Sequence, residues 1–230
     1  MSIISIIEAR QVQSLPNRLQ GQATTSYWHS RGGPPHFQSH DKTQHVTFRL
    51  ADSLPRKVLE QLLLNLNRCR PSARVDERRQ RLETLVDAGY GSCLLRRPTA
   101  ARQVQAALQY FDGERYHLVA WVVMPNHVHV LFHTLPPWTM AKSVASWKSF
   151  TGRRLAVIAR EVGLDTQAMG LGRIWAREYW DRFIRDEIHF WNTLNYIHNN
   201  PVKARLVGAA TDWEWSSARR WQTDERGLDW

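Results

Sequence analysis

Apolar and polar positions alternate along this chain with two clear periods. The stretch "HVTFRL" (45–50) alternates and is rich in β-branched and aromatic residues, which predicts a first strand. "RYHLVAWVVM" (115–124) and "HVHVLFH" (127–133) are two apolar runs joined by Pro125-Asn126, which predicts a β-hairpin. "IWAREYWDRFI" (174–184) predicts a fourth strand after a Gly-rich loop at 163–172. Between these runs the period changes to that of a helix. "DSLP" (52–55) supplies an N-cap and a first-turn proline for a helix carrying Val58, Leu59, Leu62, Leu63 and Leu66. A piece at 72–88 ("RVDERRQRLETLVDAG", ending at Gly89) is dominated by charge, so it is expected to be solvated over most of its surface. "GSCLLRRP" (91–98) is a short connection. Helices are predicted at 98–111, with Val104, Leu108 and Phe111 on one face, at 139–161, and at 187–199, ending at Pro201.

The order is therefore β, α, α, β-hairpin, α, β, α. Alternation of helices with an antiparallel hairpin favours an α+β sandwich built on one central antiparallel sheet. No internal repeat and no second domain is visible. Residues 1–42, polar and rich in Gly and Pro, are expected to form an irregular arm. Residues 208–230 are a Trp-rich tail, expected to be mostly irregular.

The hairpin raises a chemical question, because His127 and His129 interrupt its second strand. Period two puts both imidazoles on one face and Val128 and Val130 on the other. Two neighbouring histidines can share a transition-metal ion, or can be satisfied by hydrogen bonds, and two ligands alone do not make a site. The helix at 187–199 offers a partner. Phe190, Leu194 and Ile197, with Trp191 alongside, form a stripe to bury. Asn192, Tyr196, Asn199 and Asn200 form a second stripe, wholly polar or phenolic, which His189 extends by one turn. Asparagine is a mediocre helix former, so this face weakens the helix without an evident structural return. Pro201 disfavours helical geometry at Asn200 and is expected to leave that side chain turned outward at a frayed end.

Charge then narrows the partner. The net charge is +10, the isoelectric point is near 10.2, and eleven tryptophans accompany it. That balance suits a polyanion, with nucleic acid the commonest, and aromatics beside cations suit unpaired bases. Lys148, Arg153 and Arg154 lie on the predicted helix at 139–161, Arg177 and Arg182 lie on the fourth strand, and Tyr27, Trp28 and Arg31 lie in the arm; all are candidate contacts. Cys69 and Cys93 have no metal spacing and no disulfide framework. No apolar run is long enough for a membrane span, and "MSIISIIEAR" lacks the basic start of a signal peptide, so a cytoplasmic location is expected.

Together, "MPNHVHVLF" and "YIHNNPVKARLV" resemble the REP-associated tyrosine transposases, a bacterial branch of the single-tyrosine transposases named for a His-hydrophobe-His triplet. His127, Val128 and His129 match that triplet, and Tyr196, Asn200 and Pro201 match the family's tyrosine-helix motif. "WAREYWDRFIRDE" (175–187), "WEWSSAR" (213–219) and "HVTFRLADSLP" (45–55) resemble further stretches, so the likeness runs from about 27 to 220. The resemblance implies a ferredoxin-like sandwich over 43–207, with the histidines on a central strand. It implies a Mg²⁺ or Mn²⁺ ion held by His127, His129 and Asn200, and Tyr196 as nucleophile. It also implies single-stranded DNA bearing a REP-like hairpin as partner, cleaved and rejoined through a 5′-phosphotyrosine, in a bacterial cytoplasmic, nucleoid-associated protein that is a monomer or a homodimer. Two alternatives keep part of this reading: a hairpin-binding module that cleaves weakly or not at all, and a metal-dependent phosphoesterase that forms no covalent intermediate.

Overall fold

The computed structural model describes residues 27–29, 36–38, 42–54, 81, 84–164 and 172–222. Its main sheet has four antiparallel strands, β3 (Gln44–Leu50), β4 (Tyr116–Val123), β5 (His127–Thr134) and β6 (Trp175–Phe183), in the spatial order β4-β5-β3-β6. Numbering these four strands by their order in the chain, the spatial order is 4-1-3-2. Helix α1 (Pro98–Gln109) connects the first of them to the second, and α2 (Met140–Glu161) the third to the fourth. This is the β-α-β-β-α-β connectivity of a ferredoxin-like sandwich.

Side-chain alternation divides the sheet into two faces with different tasks. Val46, Phe48, Leu50, Val128, Val130 and Phe132 point to the face covered by α1 and α2, where they pack with Val104, Leu108, Val144, Trp147 and Leu155. Ala120, Val122 and Leu131 point to the opposite face, where Phe190, Leu194 and Ile197 of α3 (Glu187–Lys203) cover them. The apolar stripe read from the sequence is thus the stripe that docks α3. Burial of these aliphatic and aromatic side chains, at roughly 1.5–3 kcal/mol each, is what holds the helix against the sheet.

Several elements differ from expectation. Helix α3 does not stop at Pro201 but runs through it to Lys203. A proline so close to the C-terminus removes a single intrahelical donor, and the chain end is closed by Ala204 N–H donating to the Asn200 carbonyl and Leu206 N–H to that of Pro201. Asn200 is consequently buried inside the helix rather than turned outward at a frayed end. The segment expected to be an irregular arm contains a small ribbon, β1 (Tyr27–His29) paired antiparallel with β2 (His36–Gln38), which lies alongside β6. Tyr27 and Trp28 in one strand and Phe37 in the other supply strand formers. In the last turn of the charge-rich piece, at 84–87, Thr84 is exposed as expected, while Val86 is buried and packs with Leu54 and Trp180. The helix predicted from "DSLP" onward, most of the 72–88 piece, Arg31 and Cys69 lie outside the described residues.

The Trp-rich tail has a structural task. Ser216 bridges Val122, Val123 N–H donates to the Trp215 carbonyl, and Ser217 N–H donates to the Trp121 carbonyl. The chain after α3 thus lies along the outer edge of β4 and satisfies its backbone. A short helix, α4 (Ala218–Gln222), then brings Trp221 onto the α3 face, its indole N–H donating to the Val119 carbonyl. Trp121, Trp147, Trp175, Trp215 and Trp221 are all buried, so much of the tryptophan content builds the core instead of offering exposed stacking surfaces. Among the described residues, no helix is long and apolar enough to cross a membrane.

The fully buried Ser217 hydroxyl accepts the Trp121 N–H at 3.0 Å and lies 2.8 Å from His198 Nε2. Ser217→Ala removes a partner from two buried groups and is expected to cost about 2 kcal/mol, lowering Tm by about 4–8 °C. A melt followed by near-UV circular dichroism measures this, and an unchanged Tm would refute the clasp role.

Candidate active site

The register of β3 against β5 sets the floor of the site. Thr47 pairs with His129 and Arg49 with His127, so His45, Thr47 and both β5 histidines share the face that α3 covers. His127 and His129 are each 1% exposed. Their Nε2 atoms lie 3.0 Å apart.

The residue before His127 decides its proton. Asn126 Nδ2 donates to the Val86 carbonyl and to the Tyr90 carbonyl, both at 3.0 Å. Its Oδ1 is therefore the atom 2.8 Å from His127 Nδ1, and it can only accept. Nδ1 must carry the hydrogen, which leaves the Nε2 lone pair pointing into the site. His129 is arranged in the same sense: Nδ1 lies 2.8 Å from Thr47 Oγ1, and Nε2 faces the Asn200 amide nitrogen at 3.3 Å. Burial, together with the neighbouring His127 and His45, holds His129 well below the ordinary histidine range, so its ring is neutral near pH 7.

Two imidazole lone pairs thus converge across 3.0 Å in a buried place, with little tendency to take up a proton at His129. Oxygen donors surround them. Asp87 Oδ1 lies 3.3 Å from His127 Nε2, and Asp87, His127 and His129 form a cluster whose ligand atoms lie within 4.8 Å of one another. Asn200 Oδ1 is buried with no hydrogen-bond partner among the described residues. Nitrogens 3.0 Å apart suit adjacent corners of an octahedral ion with ligand distances of about 2.1 Å. The mixture of imidazole nitrogens with carboxylate and amide oxygens is a donor set able to hold a divalent ion.

Tyr196 stands one helical turn before Asn200. Its ring centroid lies 5.2 Å from that of His129 and 6.1 Å from that of His45, and Lys203 Nζ lies 5.0 Å from it. The structure therefore brings together the four residues named from the sequence, His127, His129, Tyr196 and Asn200. The other members of the polar stripe stay outside: Asn199 is exposed and donates to the Asn195 carbonyl, and Asn192 is exposed one turn earlier.

His45, Thr47, Asp87, Asn126 and Lys203 were not named as site residues from the sequence. His45 lies 3.1 Å from His129 Nδ1, and alternation along "HVTFRL" opposite Val46 and Phe48 was a usable signal for it. Asp87 had no such signal, being one acid in a highly charged stretch.

The proposed cationic contacts separate into three places. Lys148, Arg153 and Arg177 line one groove of about 710 Å³ between α2 and β6, joined there by Arg160 and Arg173. Within it Lys148 donates to the Arg177 carbonyl at 2.8 Å, and burial, with Arg173 and Arg49 nearby, pushes its ammonium down to about 8. Arg182 instead lines a smaller cavity beside Tyr196. Arg154 lies outside both, stacked on Phe150 at 4.6 Å. Tyr27 and Trp28 lie on β1.

Residues 92–200, which hold both histidines, Tyr196 and Asn200, match the family model "Transposase IS200 like". The chain's curated relatives are of one kind. A Haemophilus influenzae protein provisionally named REP-associated tyrosine transposase is 34% identical over 107 residues, covering 46% of this chain and 60% of that one. The REP-associated tyrosine transposase of Escherichia coli is 30% identical over 105 residues, covering 46% of this chain and 56% of that one. The chain thus matches less than two thirds of the length of either relative. A REP-associated tyrosine transposase solved bound to a REP hairpin is 23% identical, covers 82% of this chain and 84% of that one, and superposes with a TM-score of 0.49.

Asn126→Ala frees the His127 tautomer and the 84–90 turn together. It is expected to weaken Mn²⁺ binding by about 10–100-fold, read from the metal dependence of Tm. Unchanged affinity would show that Asn126 does not orient a ligand.

Proposed function

We propose that this protein cleaves and rejoins single-stranded DNA beside REP-type hairpins, with Tyr196 as a covalent nucleophile. The observation that carries the reading is the docking of the tyrosine helix: a phenol at 5.2 Å from the His129 ring, with the Asn200 amide one turn on beside the same imidazole. The family-model match over residues 92–200 and the likeness to the curated relatives support it.

His127, His129, Asn200 and Asp87 would hold the divalent ion, which when bound supplies Lewis-acid stabilisation of charge on the phosphate. The protein's own residues do the rest. Asn126 and Thr47 keep the imidazole lone pairs inward. The Tyr196 oxygen attacks phosphorus, forming a Tyr–O–P bond and breaking the bond from phosphorus to the 3′ oxygen. The phenol gives up its proton and the departing 3′ oxygen gains one. Lys203 places a positive charge beside the nucleophile as negative charge develops there. The phosphodiester's energy is kept in the phosphotyrosine, so a 3′-OH of another end can reverse the step and join strands.

The groove between α2 and β6 is proposed to bind the hairpin's phosphates through Lys148, Arg153, Arg160, Arg173 and Arg177. Arg182, beside Tyr196, is proposed to meet the single strand. Arg154 lies apart from both and is the weakest of the original candidates.

Incubation with hairpin-bearing single-stranded DNA and Mn²⁺ is expected to give a covalent adduct that resists denaturing electrophoresis and disappears in Tyr196→Phe. An adduct persisting in that variant would refute the nucleophile assignment. If hairpin DNA binds while no adduct forms, the protein is a binding module.

Lys148 makes hairpin binding depend on pH. Its ammonium titrates near 8 in the free protein, and a bound phosphate favours the charged form. Affinity is therefore full below pH 8 and falls as pH rises through it, by up to about tenfold between pH 7 and 9. Lys148→Arg should flatten this profile; an equally steep profile in the variant would remove Lys148 from the interface.

A further inference from the structure

A cavity of about 220 Å³ opens beside Tyr196. Tyr196 lines it, but His127, His129 and Asn200 do not. Along α3 it runs toward the N-terminus, past Asn192 and Thr193 to His189, whereas Asn200 lies one turn in the other direction. Across from α3, Trp180 offers an aromatic surface, held by packing on Leu54 and Val86 and by the Arg49 guanidinium 5.7 Å from its ring. The Thr193 hydroxyl is committed to the His189 carbonyl at 2.8 Å. His189 Nδ1 accepts the Arg185 N–H at 3.3 Å, so its Nε2 is the donor in the neutral ring. Asn192 adds an exposed amide able to donate and accept.

The space is smaller than the roughly 300–1,000 Å³ of a drug-sized pocket, and suits one planar ring system. An aromatic face with a donor and an amide around it is the chemistry that reads an unpaired base. Stereochemistry then says which base. In an in-line displacement the leaving oxygen lies across phosphorus from the nucleophile. The upstream nucleotide, which carries the leaving 3′ oxygen, therefore lies on the far side from Tyr196. A cavity walled by the nucleophile itself belongs to the nucleotide that stays attached.

We propose that this cavity receives the unpaired base of the nucleotide immediately downstream of the scissile phosphate, and that Trp180, His189 and Asn192 set the preference for that base. The proposal rests on the reading of Tyr196 as nucleophile.

The test maps the cut from the adduct, then replaces single nucleotides by abasic ones and measures single-turnover adduct formation with the full chain and Mn²⁺. An abasic downstream nucleotide is expected to slow the reaction by about 5–100-fold, and an abasic upstream one to change it little. Asn192→Ala should slow the reaction on intact DNA, with no further loss on the downstream-abasic strand, since both changes remove the same contact. A larger effect upstream, or an equal effect of Asn192→Ala on both strands, overturns the proposal. If intact DNA gives no adduct, the nucleophile reading has failed and the cavity is judged by binding alone. 2-Aminopurine is then walked along the single strand beside the hairpin. Fluorescence quenched at one position and restored by Asn192→Ala supports a base pocket, and uniform or absent quenching overturns it.

Discussion

The amide of Asn126 is the point on which the site depends. Its two N–H groups close the 84–90 turn through the Val86 and Tyr90 carbonyls, and its oxygen accepts the hydrogen bond from His127 Nδ1–H. One buried side chain thereby joins the end of the β4–β5 hairpin, the tautomer of His127 and the position of the Asp87 carboxylate. Because the contacts to Val86 and His127 are buried, loss of either leaves a polar group unsatisfied at about 1–3 kcal/mol, so the features they join stand or fall together. The turn is anchored on its other side by Asp52, whose carboxylate accepts the Ser92 N–H at 2.6 Å. Gly91, at φ +90°, passes so close there that a Cβ would sit 2.6 Å from the Asp52 carbonyl oxygen.

The sheet separates chemistry from support. One face buries valines and phenylalanines under α1 and α2, and the other carries histidines, Thr47 and the α3 contact. The basic groove opens between α2 and β6, while the tyrosine lies under α3. Strand β6 stands between them, with Arg177 in the groove and Arg182 in the tyrosine cavity. In the proposed reading a hairpin in the groove continues into a single strand that rounds β6 to reach Tyr196.

Much of this was legible because it follows from local periods. Period two placed His127 and His129 on one face, and a period of 3.6 placed Phe190, Leu194 and Ile197 on the docking stripe with Tyr196 and Asn200 beside it. What escaped was long-range. Asp87 reaches the site only because Asn126, far along the chain, holds its turn, and "RLETLVDAG" taken alone looks like a solvated charged helix. Pro201 misled because the rule against helical geometry before proline is a local tendency, and here the α3 packing and the closure at Ala204 and Leu206 outweigh it. The tryptophans left two readings open, base stacking and core, and five of them serve the core and the β4 edge.

A four-stranded open sheet has two edges, and each is a template for pairing with another chain. The tail closes the β4 edge with backbone hydrogen bonds from Trp215, Ser216 and Ser217. The β6 edge carries exposed Arg177, Glu178 and Arg182, and charged side chains on an edge strand discourage the addition of a foreign one. The row of cations proposed to hold DNA therefore also guards against aggregation. The β1–β2 ribbon lies alongside the same strand, so stripping charge from β6 would weaken the proposed polyanion contact and leave that ribbon as the margin's remaining cover.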